Sequence, residues 1–414
     1  MRNLRATYSL TGLWLITVCA VLAGADSAVT QRLAAGWKPT HSAAAQAYLD
    51  AYYRDRADAP LDPARVVTQP SGLGHRDIHT IINDRTLGER FFEIHADLMH
   101  PTRSVYIDPI FGAFTGQSAI RAWLVPTMSQ IKGVAFDAVR PAEFFDDGEG
   151  GTSVDEWQVH SLIDGEWVPS IRGVSVRRYR DGWIEYAADH FDSTPARMAS
   201  TGGTPLPPWP RVATQPWTGE PPRMSAAARA YVESRRKTWD RFEVGSPERD
   251  VMQPSGLSNA ELHGLLFDPE SGSDVRLIAD LMHPTESEYH DPIFASLKGQ
   301  RAIRAWYIDI MTKTGNIVFE SLSPPLFNGA TSFQEFRQMA VLPDGERLFM
   351  VRGASVRRYA DGFIVYAQDY FDTAPLSDPG IQAASAAAGS TLTLQDVLRY
   401  RPELAAPADQ PTPR

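Results

Sequence analysis

Cysteine is nearly missing: the 414 residues hold one, Cys19, and it lies inside an N-terminal apolar run. Once that run is removed no thiol remains, which excludes disulfides, a cysteine nucleophile and cysteine-ligated metal. No Gly-rich phosphate loop, no Gly-x-Ser-x-Gly elbow and no His/Asp/Glu cluster at metal-ligand spacing occurs either. Neither a metal nor a cofactor is therefore expected. Positive charge is also short. Against 50 acidic residues stand 40 basic ones, a net of -10, and a leader with Arg2 and Arg5 but no acid takes it to -12 when removed. With no basic arm or aromatic-basic stripe, nucleic acid and anionic lipid are poor partners.

What is present begins with the leader. "MRNLRATYSLTGLWLITVCAVLAGADSA" has two arginines, an apolar run from Leu10 to Ala25 and the small triplet Ala23-Gly24-Ala25. Residues 1–25 read as a secretory signal, which makes the protein exported, periplasmic or extracellular. The alternative is an uncleaved N-terminal anchor, because the run approaches the ~17 residues a short spanning helix needs. Membrane attachment follows from that alternative alone.

The rest of the chain is written twice. "SAAAQAY" at 42–48 returns as "SAAARAY" at 225–231, "QPSGL" at 69–73 returns at 253–257, and "DLMHPT" at 97–102 returns at 280–285. Gly116-Gln117-x-Ala119-Ile120-Arg121-Ala122-Trp123 returns from Gly299 to Trp306, and "RGVSVRRYRDGWIEYAADHFD" at 172–192 returns as "RGASVRRYADGFIVYAQDYFD" at 352–372. A unit of this length is a duplicated domain and not a solenoid repeat. The boundaries fall at 36–195 and 223–375. Between them the Pro-rich stretch 196–222 suits a semi-stiff linker, and the Ala/Ser/Pro-rich tail 376–414 reads as mostly disordered, with a helical turn or two at 394–400.

Within each copy the apolar period changes. Ile120, Trp123 and Leu124 follow the i, i+3, i+4 rule, as do Ile303, Trp306 and Tyr307, so the front half is helical. Asp-Gly pairs at 164, 181, 344 and 361 punctuate an extended back half. The expected class is α+β, with N-terminal helices packed on a curved antiparallel meander of about four strands.

This order, with "Y-x-D-P" and "G-x-x-A-I-x-x-W" ahead of "D-G-x-I-x-x-x-x-D-x-F-D", resembles the SnoaL-like branch of the nuclear transport factor 2-like superfamily. The resemblance covers about 40–195 and 223–375. It implies two cone-shaped domains, each with a pocket for an apolar small molecule. It also implies sheet-to-sheet pairing, which one chain could complete internally as a monomeric pseudo-dimer. Relatives include isomerases, polyketide cyclases, epoxide hydrolases and members without catalysis, so enzyme, ligand binder and scaffold all stay open.

By that resemblance Asp108 and Asp291, each followed by proline, stand where ketosteroid isomerases carry their general base. The turn-capping role of an Asp-Pro pair is the competing reading. Tyr106 and Tyr289 would orient the substrate, and Trp123 and Trp306 would form the wall. A two-residue turn at Asp181-Gly182 sets Val174 opposite Asp189 and places Asp189 and Asp369 on one face with Arg172 and Arg352, as ion pairs or as a site. The trio Asp108, Arg172 and Asp189 also resembles the acids flanking an arginine in limonene epoxide hydrolases. His100 and His283 either line the pocket mouth or cap a helix end, while His79, His160 and His190 find no histidine at the matching place in the second copy.

Overall fold

The computed structural model describes residues 39–56, 59–128, 134–148, 150–163, 165–194, 215–243, 246–271 and 274–401. The leader and most of the linker lie outside the described residues. The chain divides near residue 214 into two compact units.

In the first unit four helices, α1 (Ala43–Arg56), α2 (His75–Ile82), α3 (Phe91–Asp97) and α4 (Gln117–Met128), accompany seven strands. These are β1 (Val105–Asp108), β2 (Gly112–Thr115), β3 (Val134–Ala138), β4 (Glu143–Asp146), β5 (Gly150–Ile163), β6 (Glu166–Arg180) and β7 (Trp183–Phe191), in the order β2-β1-β7-β6-β5-β3 with β4 also on β5. The second unit repeats the plan with α5 (Ala226–Trp239), α6 (Asn259–Phe267), α7 (Val275–Asp280) and α8 (Gln300–Met311). Its strands are β8 (Glu288–Asp291), β9 (Ala295–Lys298), β10 (Ile317–Ser321), β11 (Leu326–Phe327), β12 (Thr331–Val341), β13 (Arg347–Ala360) and β14 (Phe363–Phe371). The α+β class holds.

Two expectations about the sheet are corrected. The front half is not only helical, because "VYID" and "EYHD" are strands, and β1 runs parallel to β7 with Tyr106 beside Ala187. The sheet is therefore mixed. A four-residue run between turns is too short to show a period, and it becomes a strand only because the last strand offers its backbone a ladder. The register is the second correction. Asp181 and Gly182 take the left-handed turn expected of Asp-Gly, at φ 52° and 77°. A bulge follows, in which Tyr179 faces Ile184 while Arg178 faces Tyr186, leaving Glu185 as the extra residue. Below it Val174 faces His190 and Ser175 faces Asp189, one residue away from the expected pairing. Val365 is the extra residue in the second unit.

The duplicated strings lock to each other inside the helical layer. Gln117 Nε2 donates to the Asp97 and Met99 carbonyls at 3.2 and 2.7 Å, and Gln300 Nε2 to those of Asp280 and Met282 at the same distances. Arg121 is fully buried and pairs with Asp97, while Arg304 pairs with Asp280 at 3.1 Å. Removing one member of such a pair costs about 3–5 kcal/mol, because the other is left charged and dry. Gly116 opens α4 at φ 79°, where an added Cβ would sit 3.2 Å from the Pro101 carbonyl. Around these groups Ile78, Ile81, Ile94, Leu98, Ile120 and Leu124 pack against Tyr106, Tyr179 and Ala187, which marks the helix-covered face of the sheet.

The tail is the third correction. Residues 374–377 form a 3-10 turn, followed by α9 (Pro379–Ala387), which was not expected, while the helical turns expected at 394–400 form α10 (Leu394–Tyr400). Asp378 caps the first helix and a Thr393/Asp396 capping box starts the second. Leu392, Val397 and Tyr400 lie on the second unit's core. Composition alone misread this stretch, since alanine is the best helix former once caps and an apolar stripe are present.

Candidate functional site

The bulge decides which side chains meet on the helix-covered face. Ser175, Arg177 and Tyr179 share that face on β6, and Asp189 joins them from β7, so the acid sits among polar neighbours. Ser175 donates to Asp189 Oδ1 at 2.6 Å, Arg177 Nη2 to the same oxygen at 2.9 Å, and the Tyr106 hydroxyl to Oδ2 at 2.7 Å. Arg177 also donates to the Val176 and Ala188 carbonyls at 3.0 Å. The second unit repeats the cluster with Ser355, Arg357 and Tyr289 around Asp369 at 2.5, 2.9 and 2.5 Å.

Burial works against charge on Asp189, yet Arg177, Ser175 and Tyr106 together hold its carboxyl below the usual range. The same burial, with the Asp189 charge beside it, pushes the Tyr106 hydroxyl well above its ordinary value. Asp189 is thus a held anion that orients a tyrosine.

Asp108 and Asp291 close β1 and β8. Asp108 Oδ1 accepts from the Ile110 and Phe111 amides at 2.7 and 3.0 Å, and Asp291 Oδ1 from those of Ile293 and Phe294 at 2.8 and 3.0 Å. Both therefore perform the turn-capping role. Burial and the nearby Asp369 charge nevertheless push the Asp291 carboxyl from 3.8 up to about 7, with the two amides and Arg401 opposing.

Trp123 and Trp306 each sit in a cluster of aromatic rings. Trp123 stacks on Phe114 at 4.4 Å and meets Tyr106 at 5.0 Å, while Trp306 meets Tyr289 at 4.7 Å and Phe294 at 5.6 Å. Both indole N–H groups are buried without an acceptor among the described residues. His100 and His283 cap turns instead: His100 Nδ1 accepts from the Thr102 and Arg103 amides, and His283 Nδ1 from those of Thr285 and Glu286.

Arg172 and Arg352 are not partners of the acids. Each lies on the opposite face of its sheet, beside Glu156 at 4.0 Å and Glu335 at 2.7 Å respectively. The trio Asp108, Arg172 and Asp189 is accordingly not assembled, and Arg177 stands where Arg172 was expected. One matching was also missed. The "QPSGL" strings align His79 with His263, and both histidines sit on the helix after that string, against Ser153 and Ser332. Reading the repeat from those strings onward would have found the pair. Among the described residues no group of three or more His, Cys, Asp or Glu could hold a metal ion.

No family model and no curated protein matches the chain. Among solved structures it is similar to a protein with a ketosteroid isomerase-like fold from Catenulispora acidiphila, crystallised with trimethylamine (20% identity, 30% of this chain, 92% of that one, TM-score 0.24). A steroid delta-isomerase from Pseudomonas aeruginosa matches at 17% identity over 45% of this chain and 99% of its own, TM-score 0.23. A SnoaL-like family protein from Agrobacterium tumefaciens matches at 22% over 23% of this chain and 78% of its own, TM-score 0.20. In fold, the chain is similar to nuclear transport factor 2-like and SnoaL-like proteins.

Proposed function

We propose that the protein is a cofactor-free enzyme acting on an apolar small molecule, in which Asp291 of the second unit moves a proton beside a carbonyl. The observation that carries this reading is the Asp291 carboxyl. Its Oδ1 is fixed by two amides of its own turn, and burial next to Asp369 raises it to about 7. A base is most effective when its own value lies near the working pH. Trp306, whose ring meets Tyr289 and Phe294, has a buried indole N–H without an acceptor among the described residues, and this group would donate to the oxygen on which negative charge develops. The Arg-held Asp189 and Asp369 suit binding and orientation through Tyr106 and Tyr289 and not proton abstraction. Asp108 would be the corresponding base of the first unit.

The test is solvent deuterium exchange at the α-carbon of 2-tetralone, followed by proton NMR with the full chain. Acceleration that rises through a midpoint near pH 7 and falls about 100-fold in Asp291→Asn supports the reading. No acceleration, or acceleration untouched by Asp291→Asn, overturns it. Export with loss of residues 1–25 belongs to the same proposal and is checked by the mass of the N-terminal peptide of the secreted protein.

A further inference from the structure

The first unit holds a second polar cluster that the Tyr106, Asp189 and Arg177 network leaves unused. His79 of α2 sets Nδ1 3.1 Å from Ser153 Oγ, which lies 2.8 Å from the Tyr179 hydroxyl. Its Nε2 lies 3.4 Å from Asp155 Oδ1. Asp155 follows Ser153 by two residues on β5 and so shares its face, directly across from Ser175. One fifth of the Asp155 side chain stays exposed against one tenth of His79, which makes the acid the open end of the chain Tyr179, Ser153, His79, Asp155.

The second unit repeats three of these four groups. His263 Nδ1 lies 2.7 Å from Ser332 Oγ, which lies 2.6 Å from the Tyr359 hydroxyl. The place of Asp155, opposite Ser355, is taken by Gln334, whose amide donates to Ser321 Oγ at 2.5 Å. Burial pushes the His263 imidazole down to about 4, and no acid is paired with it among the described residues.

This difference discriminates between roles. A serine nucleophile is excluded because Ser153 has no exposed surface and the same Ser-His contact recurs where no acid stands behind it. The Ser-His contact is therefore a joint that orients the imidazole in both units. If Ser153 donates to Nδ1, the ring proton is placed on Nε2, facing the carboxylate. Only the first unit adds that carboxylate.

We infer that Asp155, positioned by His79, is a second acid–base centre, confined to the first unit, that exchanges a proton with an apolar small molecule carrying a weakly acidic C–H group. The inference does not rest on Asp291, which belongs to the other unit. The charged and titratable groups facing the pair are Arg177 and Tyr179 on β6 and Asp189 on β7, while His75, one turn earlier on α2, is bound to Asp146 of β4 at 2.9 Å. Burial raises the Asp155 carboxyl, His79 and Arg177 oppose the rise, and Asp189 adds to it. The result is an acid more basic than an exposed aspartate, with one oxygen fixed.

The probe is 5-nitrobenzisoxazole with the full chain. A base takes its C3 proton, the C–H electron pair completes the nitrile, and the N–O bond breaks with its pair on the phenolate oxygen, whose absorbance is read. Asp155→Asn and Asp155→Gln, the latter installing what the second unit carries at this place, should each lower turnover about 100-fold. Gln334→Asn should leave turnover unchanged, and His79→Gln should shift the midpoint of the pH-rate profile. A second reading follows the ring protons of His79 by NMR with His263 as internal reference: Asp155→Asn should move the His79 ring signals and leave those of His263 in place. Unmoved His79 ring signals overturn the pairing. Absent turnover, or turnover lost in Asp291→Asn and kept in Asp155→Asn, overturns the acid–base role.

Discussion

The Tyr106 hydroxyl donates to Asp189 Oδ2 at 2.7 Å across 83 residues of sequence, and Tyr289 does the same for Asp369. That bond ties the first short strand to the last long one, and Arg177 seals it from β6. A single change in such a triad exposes how much each member depends on the others.

Arg177→Leu should therefore destabilise the first unit by about 3–5 kcal/mol, since Asp189 is left as a buried anion with only Ser175 and Tyr106 to hold it. Arg177→Leu with Asp189→Leu should recover most of the loss. The shift in the melting transition of the full chain reads both. The wild-type pair also has a pH sign: because Asp189 is held below its ordinary value, its contribution is full above that value and disappears as pH falls through the lower, folded-state one. A double variant no more stable than the single one would show that the leucines fail to fill the space.

Asp291 predicts the opposite slope. Its carboxyl is raised from 3.8 to about 7, so folding favours its protonated form. It costs nothing below 3.8, a growing amount between 3.8 and 7, and its full cost above. Asp291→Asn should match wild type in denaturant unfolding at pH 3.5 and be more stable by about 2–4 kcal/mol at pH 8. Equal stability at both values would show that the carboxyl is not buried in solution, and would remove the ground for its role as a base.

Much of this architecture was legible in the residues. Repeated strings gave two copies, and Asp-Gly pairs gave the hairpins. Tyr106 and Asp108 were marked as candidate site residues, but their place on a strand beside β7 was not. The register was not legible, because nothing in "RDGWIEYAADHF" announces that Glu185 is extra. A bulge forms when the sheet must twist to pack on its helices, which is a tertiary demand. One slipped residue moved Asp189 from Arg172 to Arg177 and changed every partner on that face. The buried Arg121 and Arg304 were invisible for a different reason, since their acids, Asp97 and Asp280, lie in a separate repeated string and meet them only through the fold.

The contrast between the copies can be tested from the other side. Gln334→Asp gives the second unit the acid that the first unit carries, opposite Ser355 as Asp155 is opposite Ser175. His263, now at about 4, should then titrate about 1–3 pH units higher, because a carboxylate within reach of the ring favours its charged form. The sign for stability follows. A buried histidine lowered from 6.5 to about 4 makes the wild-type unit lose stability as pH falls through that window, and the new acid should reduce that loss. At pH 8, where His263 is neutral in either form, the variant should be the weaker by about 1 kcal/mol, since the Gln334 to Ser321 bond is gone. The two stability curves should therefore cross between pH 8 and pH 5 in urea unfolding. Curves that run parallel, with an unmoved His263 midpoint, would mean that residue 334 does not face the ring and that the acid is not what separates the two copies.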